Sequence, residues 1–312
     1  MEIFRGLDTL PDMHDCYLTI GSFDGLHRGH QEIVKKVVSY ATANNSKSVV
    51  VTFDPHPRHI LNPADATLPL LMSIEKKLEL LKAINVDIAL IIPFNQEFSR
   101  ITAAEFLDDI IIRKFQPRRV VIGYDHHFGQ DRSGTAEFTA KYLAPKNIDL
   151  EIVEPIHDEN VVISSTHIRE LIQAGFVRRA SFELGWVYGF QATIVYGAQR
   201  GRSLNFPTAN FIPLEENQLL PENGVYLTRA RLNSENIYGM CNLGTRPTFN
   251  EEGFVMEVHF FDMVNVELYG RELTVEFLER IRDERKFESK EKLIEQLEKD
   301  KQYCFELLSK YK

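Results

Sequence analysis

The stretch Thr19-Ile-Gly-Ser-Phe-Asp-Gly-Leu-His-Arg-Gly-His30 decides how the first half of the chain folds. The apolar run that leads into it, Tyr17–Ile20, predicts a strand that ends at Gly21. Apolar residues then recur at helical spacing, which predicts a helix from about His30. The stretch is therefore a strand, a glycine-containing turn and a helix N-terminus, where free N–H groups and the positive end of the helix dipole favour a phosphate.

Two histidines suggest a chemistry for this turn. His27 and His30 are three residues apart, so on a first helical turn both side chains would project to the same side. Imidazoles beside phosphate-binding amides can donate hydrogen bonds to a triphosphate as charge develops on its leaving group. An isolated His-x-x-His is more often a pair of surface histidines, but Gly25, Gly29 and the strand–turn–helix context favour a nucleotide site.

The composition is that of an ordinary globular protein. The 312 residues suit two domains better than one, and 44% of them are hydrophobic while 26% are charged. The net charge of −9 argues against a nucleic-acid partner. Cys16, Cys241 and Cys304 are far apart, which indicates reduced thiols in a cytoplasmic protein. The sequence has neither a signal-peptide pattern nor an apolar run of membrane-spanning length, so we expect no membrane partner.

Strands and helices alternate over residues 1–183. The strands are continuously apolar, which predicts an α/β, Rossmann-like domain with a parallel sheet covered by helices on both faces. Ligands of such sheets bind beyond the carboxyl ends of the strands, which is the edge where the His27/His30 turn lies. The His27-Arg-Gly-His30 pattern resembles the His-x-Gly-His signature of the adenylyl- and cytidylyltransferases, which implies a nucleotidyltransferase domain. The predicted strands are Tyr17–Ile20, Ser48–Phe53, Asp87–Ile92, Arg119–Gly123 and Leu150–Val153.

Three further segments should reach the same edge. Asp54-Pro-His-Pro57 follows its strand, and its prolines make the backbone rigid there. His56 could face a ligand at this point. In Gly123–Gly129, Asp125 can accept hydrogen bonds from a ring or a ribose. Arg169 lies in the first turn of a predicted helix, where a guanidinium can clamp a phosphate. Each segment also has a plainer interpretation. The first would only shape its loop, the second would be a turn with aromatic packing, and Arg169 would be a surface arginine.

From about Trp186 short alternating strands replace the helical pattern. They predict a small antiparallel β-barrel over residues 184–312, covered by an amphipathic C-terminal helix, Lys290–Leu308. The predicted strands are Gln191–Val195, Thr208–Ile212, Val225–Leu232, Ile237–Leu243, Phe254–Phe261 and Glu272–Phe277, and a turn is predicted over Asn242–Thr248.

The barrel sequence also contains candidate site residues. The basic, glycine-hinged loop Gly197–Arg202 suits phosphates. Thr208 and Asn210 share a strand face, where a hydroxyl and an amide oxygen suit a hard cation that keeps most of its waters. Glu257 lies in an apolar strand and could act as a general base on a substrate hydroxyl. Cross-strand polar pairing and a solvated or paired glutamate are the alternatives.

Together these motifs resemble those of the bacterial bifunctional riboflavin kinase/FAD synthetases, over nearly the whole chain. The first domain is similar to Gly-x-Phe-Asp-Gly-x-His-x-Gly-His, Phe-x-Pro-His-Pro, Gly-x-[Asn/Asp]-Phe-x-Phe-Gly and Ile-Ser-Ser-Thr-x-Ile-Arg. The barrel supplies Phe206-Pro-Thr-Ala-Asn210, Asn242–Phe249 and Glu257-Val-His259. The resemblance implies phosphorylation of riboflavin to FMN with ATP and Mg²⁺, and then adenylylation of FMN to FAD by a second ATP.

The resemblance also implies roles for individual residues. His27, His30 and Arg169 would act on the ATP phosphates, and Glu257 would deprotonate the ribityl 5′-hydroxyl. Mg²⁺ with ATP would be contacted by Thr208 and Asn210. The remaining implied contacts are to ATP from Gly21, Phe23, Asp24, Gly25, Gly29, Ser165, Thr166, Gly197, Gly201 and Arg202, and to flavin from His56, Asp125, Arg132 and Arg282.

Two other functions stay open from the sequence. One is a related transferase that acts on pantetheine phosphate or nicotinamide mononucleotide, although neither acceptor needs the barrel. The other is a flavin-binding or storage protein without turnover, because His126, Ala192 and Asn205 depart from the family pattern. We expect small-molecule substrates as partners, no nucleic acid, and a monomer or weak homo-oligomer.

Overall fold

The computed structural model describes residues 1–61, 68–196, 206–232, 235–248, 251–261 and 269–311. The chain forms two compact units, Met1–Ser165 and Thr166–Lys312. None of the described helices is both long enough and apolar enough to span a membrane. All three cysteines are buried and free of disulfides.

A six-stranded parallel sheet forms the centre of the first unit, as the apolar strands predict. Its strands are β1 (Glu2–Arg5), β2 (Cys16–Ile20), β3 (Lys47–Asp54), β4 (Ile88–Pro93), β5 (Arg119–Gly123) and β6 (Asp149–Val153). They lie in the order β1-β4-β3-β2-β5-β6, and every neighbouring pair is parallel. A short hairpin of β7 (His157–Asp158) and β8 (Val161–Val162) follows.

Helices cover the sheet of the first unit. They are α1 (Arg28–Ala43), α2 (Pro57–Leu61), α3 (Ile74–Ala83), α4 (Ala103–Glu105), α5 (Arg113–Phe115) and α6 (Ala136–Leu143). A π-helical segment, Phe106–Ile112, joins α4 to α5. Two of these helices begin at a clear cap: Ser73 accepts a hydrogen bond from the N–H of Lys76 at 3.2 Å, and Thr102 with Glu105 forms a capping box.

Two clusters of buried side chains cover the two faces of this sheet. Leu18 and Leu90 of the strands pack with Leu107 of the π-helical segment on one face. Val37 of α1 packs with Val121 of β5 on the other. Because both faces are covered, the carboxyl edge of the strands is the accessible place for a ligand.

The barrel of the second unit is closed and antiparallel. Helices α7 (Ser165–Gln173) and α8 (Val177–Leu184) precede it, and α9 (Lys290–Leu308) ends it. Its strands are β9 (Gly189–Val195), β10 (Ala209–Pro213), β11 (Gly224–Leu232), β12 (Glu235–Thr248), β13 (Glu251–Phe260) and β14 (Glu272–Arg282). They lie in the order β10-β13-β12-β11-β14-β9. On α9, Cys304 and Leu308 pack against Val225 and Met240 of the barrel.

Two expectations about individual elements are wrong. Strand β1 is absent from the predicted set, because its exposed edge carries charged residues at both ends. The predicted turn over Asn242–Thr248 is strand, since β12 continues to Thr248 and pairs with β13 over its whole second half.

Candidate active sites

The turn between β2 and α1 places His27 at the helix boundary. Helix α1 begins at Arg28, so His27 is the N-cap and not a member of the first helical turn. Its Nδ1 accepts a hydrogen bond from the backbone N–H of His30 at 3.4 Å. Because Nδ1 is an acceptor, the proton of the neutral ring lies on Nε2, which is the atom that can donate to a ligand.

The two predicted histidines lie against each other. The ring centroids of His27 and His30 are 3.7 Å apart, with 21° between the planes. Burial lowers the pKa of His27 from 6.5 to about 4. Burial, followed by the charges of His27 and Lys77, lowers the pKa of His30 well below 6.5. Both imidazoles are therefore neutral at pH 7, and they can donate hydrogen bonds without bringing a net charge.

Small residues in the turn make room for these rings. A Cβ at Gly29 would lie 3.2 Å from the His27 ring, and a Cβ at Gly21 would lie 3.0 Å from the ring of Phe23. Phe23 has a left-handed backbone and meets His30 edge-on at 5.4 Å. The buried 3₁₀ segment that follows Phe23 contains Asp24 and Gly25.

A cavity of about 550 Å³ opens beside the turn, at the carboxyl edge of the sheet. His30 lines it together with His56, Asp125 and Arg132, the three residues of this domain that were predicted to contact flavin. This volume is within the range of pockets that hold small organic ligands. The structure thus brings the predicted phosphate turn and the predicted flavin residues into one cavity.

Phenylalanines form a wall of this cavity, and the sequence analysis identified none of Phe53, Phe94, Phe98 and Phe106 as site residues. Phe53 lies 5.7 Å from Phe94 and 5.9 Å from Phe98, and Phe106 lies 5.3 Å from Phe128. All five line the cavity and suit a flat aromatic ligand. Phe53 lies near the carboxyl end of β3, and Phe94 directly follows β4. Because ligands of parallel sheets bind beyond the carboxyl ends of the strands, these positions could have distinguished the two residues from core residues.

His126 also belongs to the cavity lining. Its ring stacks on Phe128 with 5.5 Å between centroids and 29° between planes. Burial lowers the pKa of His126 from 6.5 to about 4. Tyr124, on the same loop, is 45% exposed.

Helix α7 carries the third predicted phosphate segment. The hydroxyl of Ser165, its first residue, donates to the backbone carbonyl of Asp24 at 2.8 Å. Thr166 is exposed, whereas Arg169 is buried on the same helix.

In the barrel, three polar residues lie in a row across neighbouring strands. Asn210 of β10 is directly opposite Glu257 of β13, and Glu257 is directly opposite Asn242 of β12. Directly opposite residues of antiparallel strands share one face, with Cβ atoms about 5 Å apart. The carboxylate of Glu257 therefore lies between two amide side chains, an arrangement that depends on strand register and that the sequence did not reveal.

The same part of the barrel fits a magnesium ion by its donor chemistry. Thr208 immediately precedes β10, and the Pro207 carbonyl oxygen beside it lies 2.9 Å from Nδ1 of His259 on β13. The hydroxyl, amide and carboxylate oxygens of Thr208, Asn210 and Glu257 are ligand types that Mg²⁺ prefers in proteins.

The structure describes only some of the other barrel residues singled out from the sequence. Arg282 donates from Nε to the buried Asp300 of α9 at 2.8 Å, so its guanidinium already has a partner within the unit. Ala192 is fully buried in β9. Gly197, Gly201, Arg202 and Asn205 lie outside the residues that the structure describes.

The fold and the two sites define a class of protein. A parallel α/β unit with a predicted phosphate-binding turn is followed by a closed barrel in which a glutamate lies opposite two asparagines, and this organisation fits a two-site nucleotide-dependent transferase.

Comparison with known proteins identifies the family. The FAD synthetase family model matches residues 10–167, and the riboflavin kinase model matches residues 184–308. The bifunctional riboflavin kinase/FMN adenylyltransferase of Bacillus subtilis (strain 168) is 34% identical over 295 residues, which are 94% of this chain and 92% of that protein. The corresponding protein of Escherichia coli (strain K12) is 31% identical over 303 residues, 96% of each chain. The chain belongs to the bifunctional riboflavin kinase/FMN adenylyltransferase family, which confirms the predicted family, fold and pair of activities.

A solved structure has the same fold over nearly the whole chain. It is described as a macrolide-efflux protein from Streptococcus pneumoniae, and it matches with a TM-score of 0.89 and 31% identity over 97% of this chain and 99% of its own.

Proposed function

We propose that the barrel makes FMN from riboflavin and that the cavity of the first unit converts this FMN to FAD. The observation that carries the proposal is the single cavity in which His30 lies with His56, Asp125 and Arg132 beside an aromatic wall. A flavin ring fits such a wall, and a triphosphate fits the adjoining N-terminus of α1.

In adenylyl transfer, a phosphate oxygen of FMN attacks the α-phosphorus of ATP, and pyrophosphate leaves as its P–O bond breaks. His27, through Nε2–H, and His30 would donate to the phosphates as negative charge grows on the leaving group. Arg169 would supply positive charge to the same phosphates. The remaining ATP contacts would come from Gly21, Phe23, Asp24, Gly25, Gly29, Ser165 and Thr166, and the flavin contacts from His56, Asp125 and Arg132.

In riboflavin phosphorylation, Glu257 would take the proton of the ribityl 5′-hydroxyl as its oxygen attacks the γ-phosphorus of ATP and ADP leaves. Thr208 and Asn210 would hold Mg²⁺, which when bound offsets the charge of the phosphates. Asn210 lies directly opposite Glu257, which supports a shared role for the two residues. Gly197, Gly201 and Arg202 would contact ATP, and Arg282 would lie near the flavin.

We further propose a functional boundary after residue 183, because the riboflavin kinase match begins at residue 184. The three buried, unpaired cysteines support a reducing, cytoplasmic location. With small-molecule substrates and each site built from one part of the chain, the enzyme would work as a monomer or weak homo-oligomer.

Replacing His30 and Glu257 one at a time tests this division of labour. His30→Ala should lower FAD formation from supplied FMN by about 100-fold, because a transition-state donor is lost, and should spare FMN formation from riboflavin. Glu257→Ala should do the reverse. Chromatographic separation of riboflavin, FMN and FAD over time measures both reactions.

Equal loss of both activities in either variant would refute the assignment. A wild-type protein that changes flavin fluorescence but forms neither product would instead favour the flavin-binding or storage protein.

A further inference from the structure

Lys77 is a buried lysine directly beneath the phosphate turn. It lies on α3 and is only 7% exposed. Its Nζ donates to the backbone carbonyl of Ser22 at 2.7 Å and to Oγ1 of Thr52 at 3.2 Å. Within the described part of the chain, both acceptors are neutral and Nζ forms no ion pair. A buried ammonium in such surroundings is costly, so its presence calls for a function.

The contacts of Lys77 connect three elements of the site. Ser22 lies between Gly21 and Phe23, and all three line the cavity. Thr52 belongs to β3 and is fully buried. Lys77 therefore connects the turn after β2 to the neighbouring strand β3.

The charged groups around Lys77 come from each of these elements. Asp24 of the turn and Asp54 at the end of β3 favour its charged form, whereas burial opposes it more strongly, so that its pKa falls from 10.5 to about 8. His30 of α1 also lies within its electrostatic reach. Lys77 is therefore charged at pH 7 and loses its proton as the pH rises through about 8.

We propose that Lys77 is a positioning residue for adenylyl transfer: its ammonium fixes the Ser22 carbonyl, holds Gly21 and Phe23 in place, and supplies the positive charge that the two imidazoles lack. This inference rests on the proposed role of the turn in binding ATP phosphates. Lys77 does not itself line the cavity, and its Nζ is linked to the lining through the hydrogen bond to the Ser22 carbonyl.

The first test compares Lys77→Met with Lys82→Met, an exposed lysine on the same helix. Lys77→Met should lower kcat/KM for FMN adenylylation by at least 10-fold, whereas Lys82→Met should leave it unchanged. Riboflavin phosphorylation by the same samples should stay within twofold of wild type in both variants, because the barrel makes no use of Lys77.

The pH dependence separates a charged role from a purely structural one. In wild type, kcat/KM for adenylylation should fall as the pH rises through about 8. Thr52→Val keeps the shape of the buried side chain but removes one acceptor of the ammonium, so the fall should begin at lower pH. Lys77→Arg keeps its charge throughout this range, so the fall should disappear.

Two results would overturn the inference. One is a Lys77→Met enzyme that adenylylates FMN as well as Lys82→Met does. The other is an alkaline fall that stays at the same pH in wild type, Thr52→Val and Lys77→Arg. A wild-type protein that phosphorylates riboflavin but makes no FAD from supplied FMN would overturn the proposed function of the first unit, and the role of Lys77 with it.

Discussion

Burial keeps three histidines of the first unit uncharged, and this decides what they can do. His27, His30 and His126 all have pKa values lowered chiefly by removal from water. A neutral imidazole carries one N–H at a defined ring nitrogen. These histidines can therefore donate directed hydrogen bonds, but they bring no positive charge to the site. In the proposed site, positive charge for a triphosphate would then come from other groups, such as the N-terminus of α1 and Lys77.

The same shifts predict a loss of stability in acid. An unfolded histidine titrates near pH 6.5, whereas folded His126 titrates near 4. Between these values the unfolded chain binds more protons, so the stability present above pH 6.5 is lost as the pH falls toward 4. His126→Phe keeps the stacking on Phe128 and removes the imidazole that binds this proton in the unfolded chain. From pH 7 to 4.5 its free energy of unfolding should fall by about 2–3 kcal/mol less than that of wild type.

Calorimetric unfolding at the two pH values measures this difference. His14→Asn is the matched control, because His14 is exposed and its loss should leave the acid sensitivity at the wild-type level. If His126→Phe and wild type lose the same stability in acid, burial of the neutral imidazole is not the cause.

Site residues that belong to a local motif could be predicted from the sequence, and those that depend on tertiary placement could not. His30, His56 and Asp125 follow strand ends within recognisable motifs, and the structure brings them into one cavity. Lys77 has the helical spacing of an amphipathic α3, where a lysine is ordinarily solvated. Asn242 seemed to belong to a turn, and only strand register places it beside Glu257.

The elements themselves follow a similar division. Strands β2 to β6 and the capped helices of the first unit were predictable from apolar runs and caps, because each signal is local in the sequence. The π-helical segment Phe106–Ile112 has no comparable signal, since its altered hydrogen bonding depends on what packs against it. In the barrel, alternation predicted the strands, but the pairing of β10 with β13 joins residues almost fifty positions apart.

Helix α4 restricts which residue can occupy a single position of a neighbouring loop, Gly129. Gly129 has φ of 73°, and a Cβ there would lie 2.5 Å from the backbone nitrogen of Ala103 at the start of α4. Gly6 also has a positive φ, 84°, but a Cβ there would meet nothing within 4 Å. The two glycines therefore share the backbone constraint and differ in the steric one.

Gly129→Ala and Gly6→Ala should separate these effects. Both substitutions force an alanine into a backbone with positive φ and extended ψ, which only glycine adopts readily, at a cost of about 1–3 kcal/mol. Gly129→Ala must also push the loop away from α4, so its total loss should exceed that of Gly6→Ala by about 1–3 kcal/mol. Because Gly129 lines the cavity, its variant should also adenylylate FMN more slowly. Calorimetry and the FAD assay measure the two effects, and equal destabilisation by both substitutions would exclude the steric explanation.

In the whole molecule, each proposed site is assembled mainly from its own stretch of chain. The cavity is lined by residues between Ile20 and Arg132, and the row of Asn210, Glu257 and Asn242 belongs to the barrel. One reaction can therefore serve as the internal control for variants of the other. The same organisation means that FMN made at the barrel has to reach the cavity before FAD can form.

This organisation predicts that two defective copies can complement each other through free FMN. His30→Ala should convert riboflavin only to FMN, and Glu257→Ala should convert FMN but not riboflavin. A mixture of the two should form FAD from riboflavin after a lag in which FMN accumulates, and more of the His30→Ala protein should shorten that lag. Direct transfer confined to one chain predicts a different result: FMN would stay bound to the His30→Ala chains, and the mixture would form no FAD although the same Glu257→Ala sample makes FAD when free FMN is added.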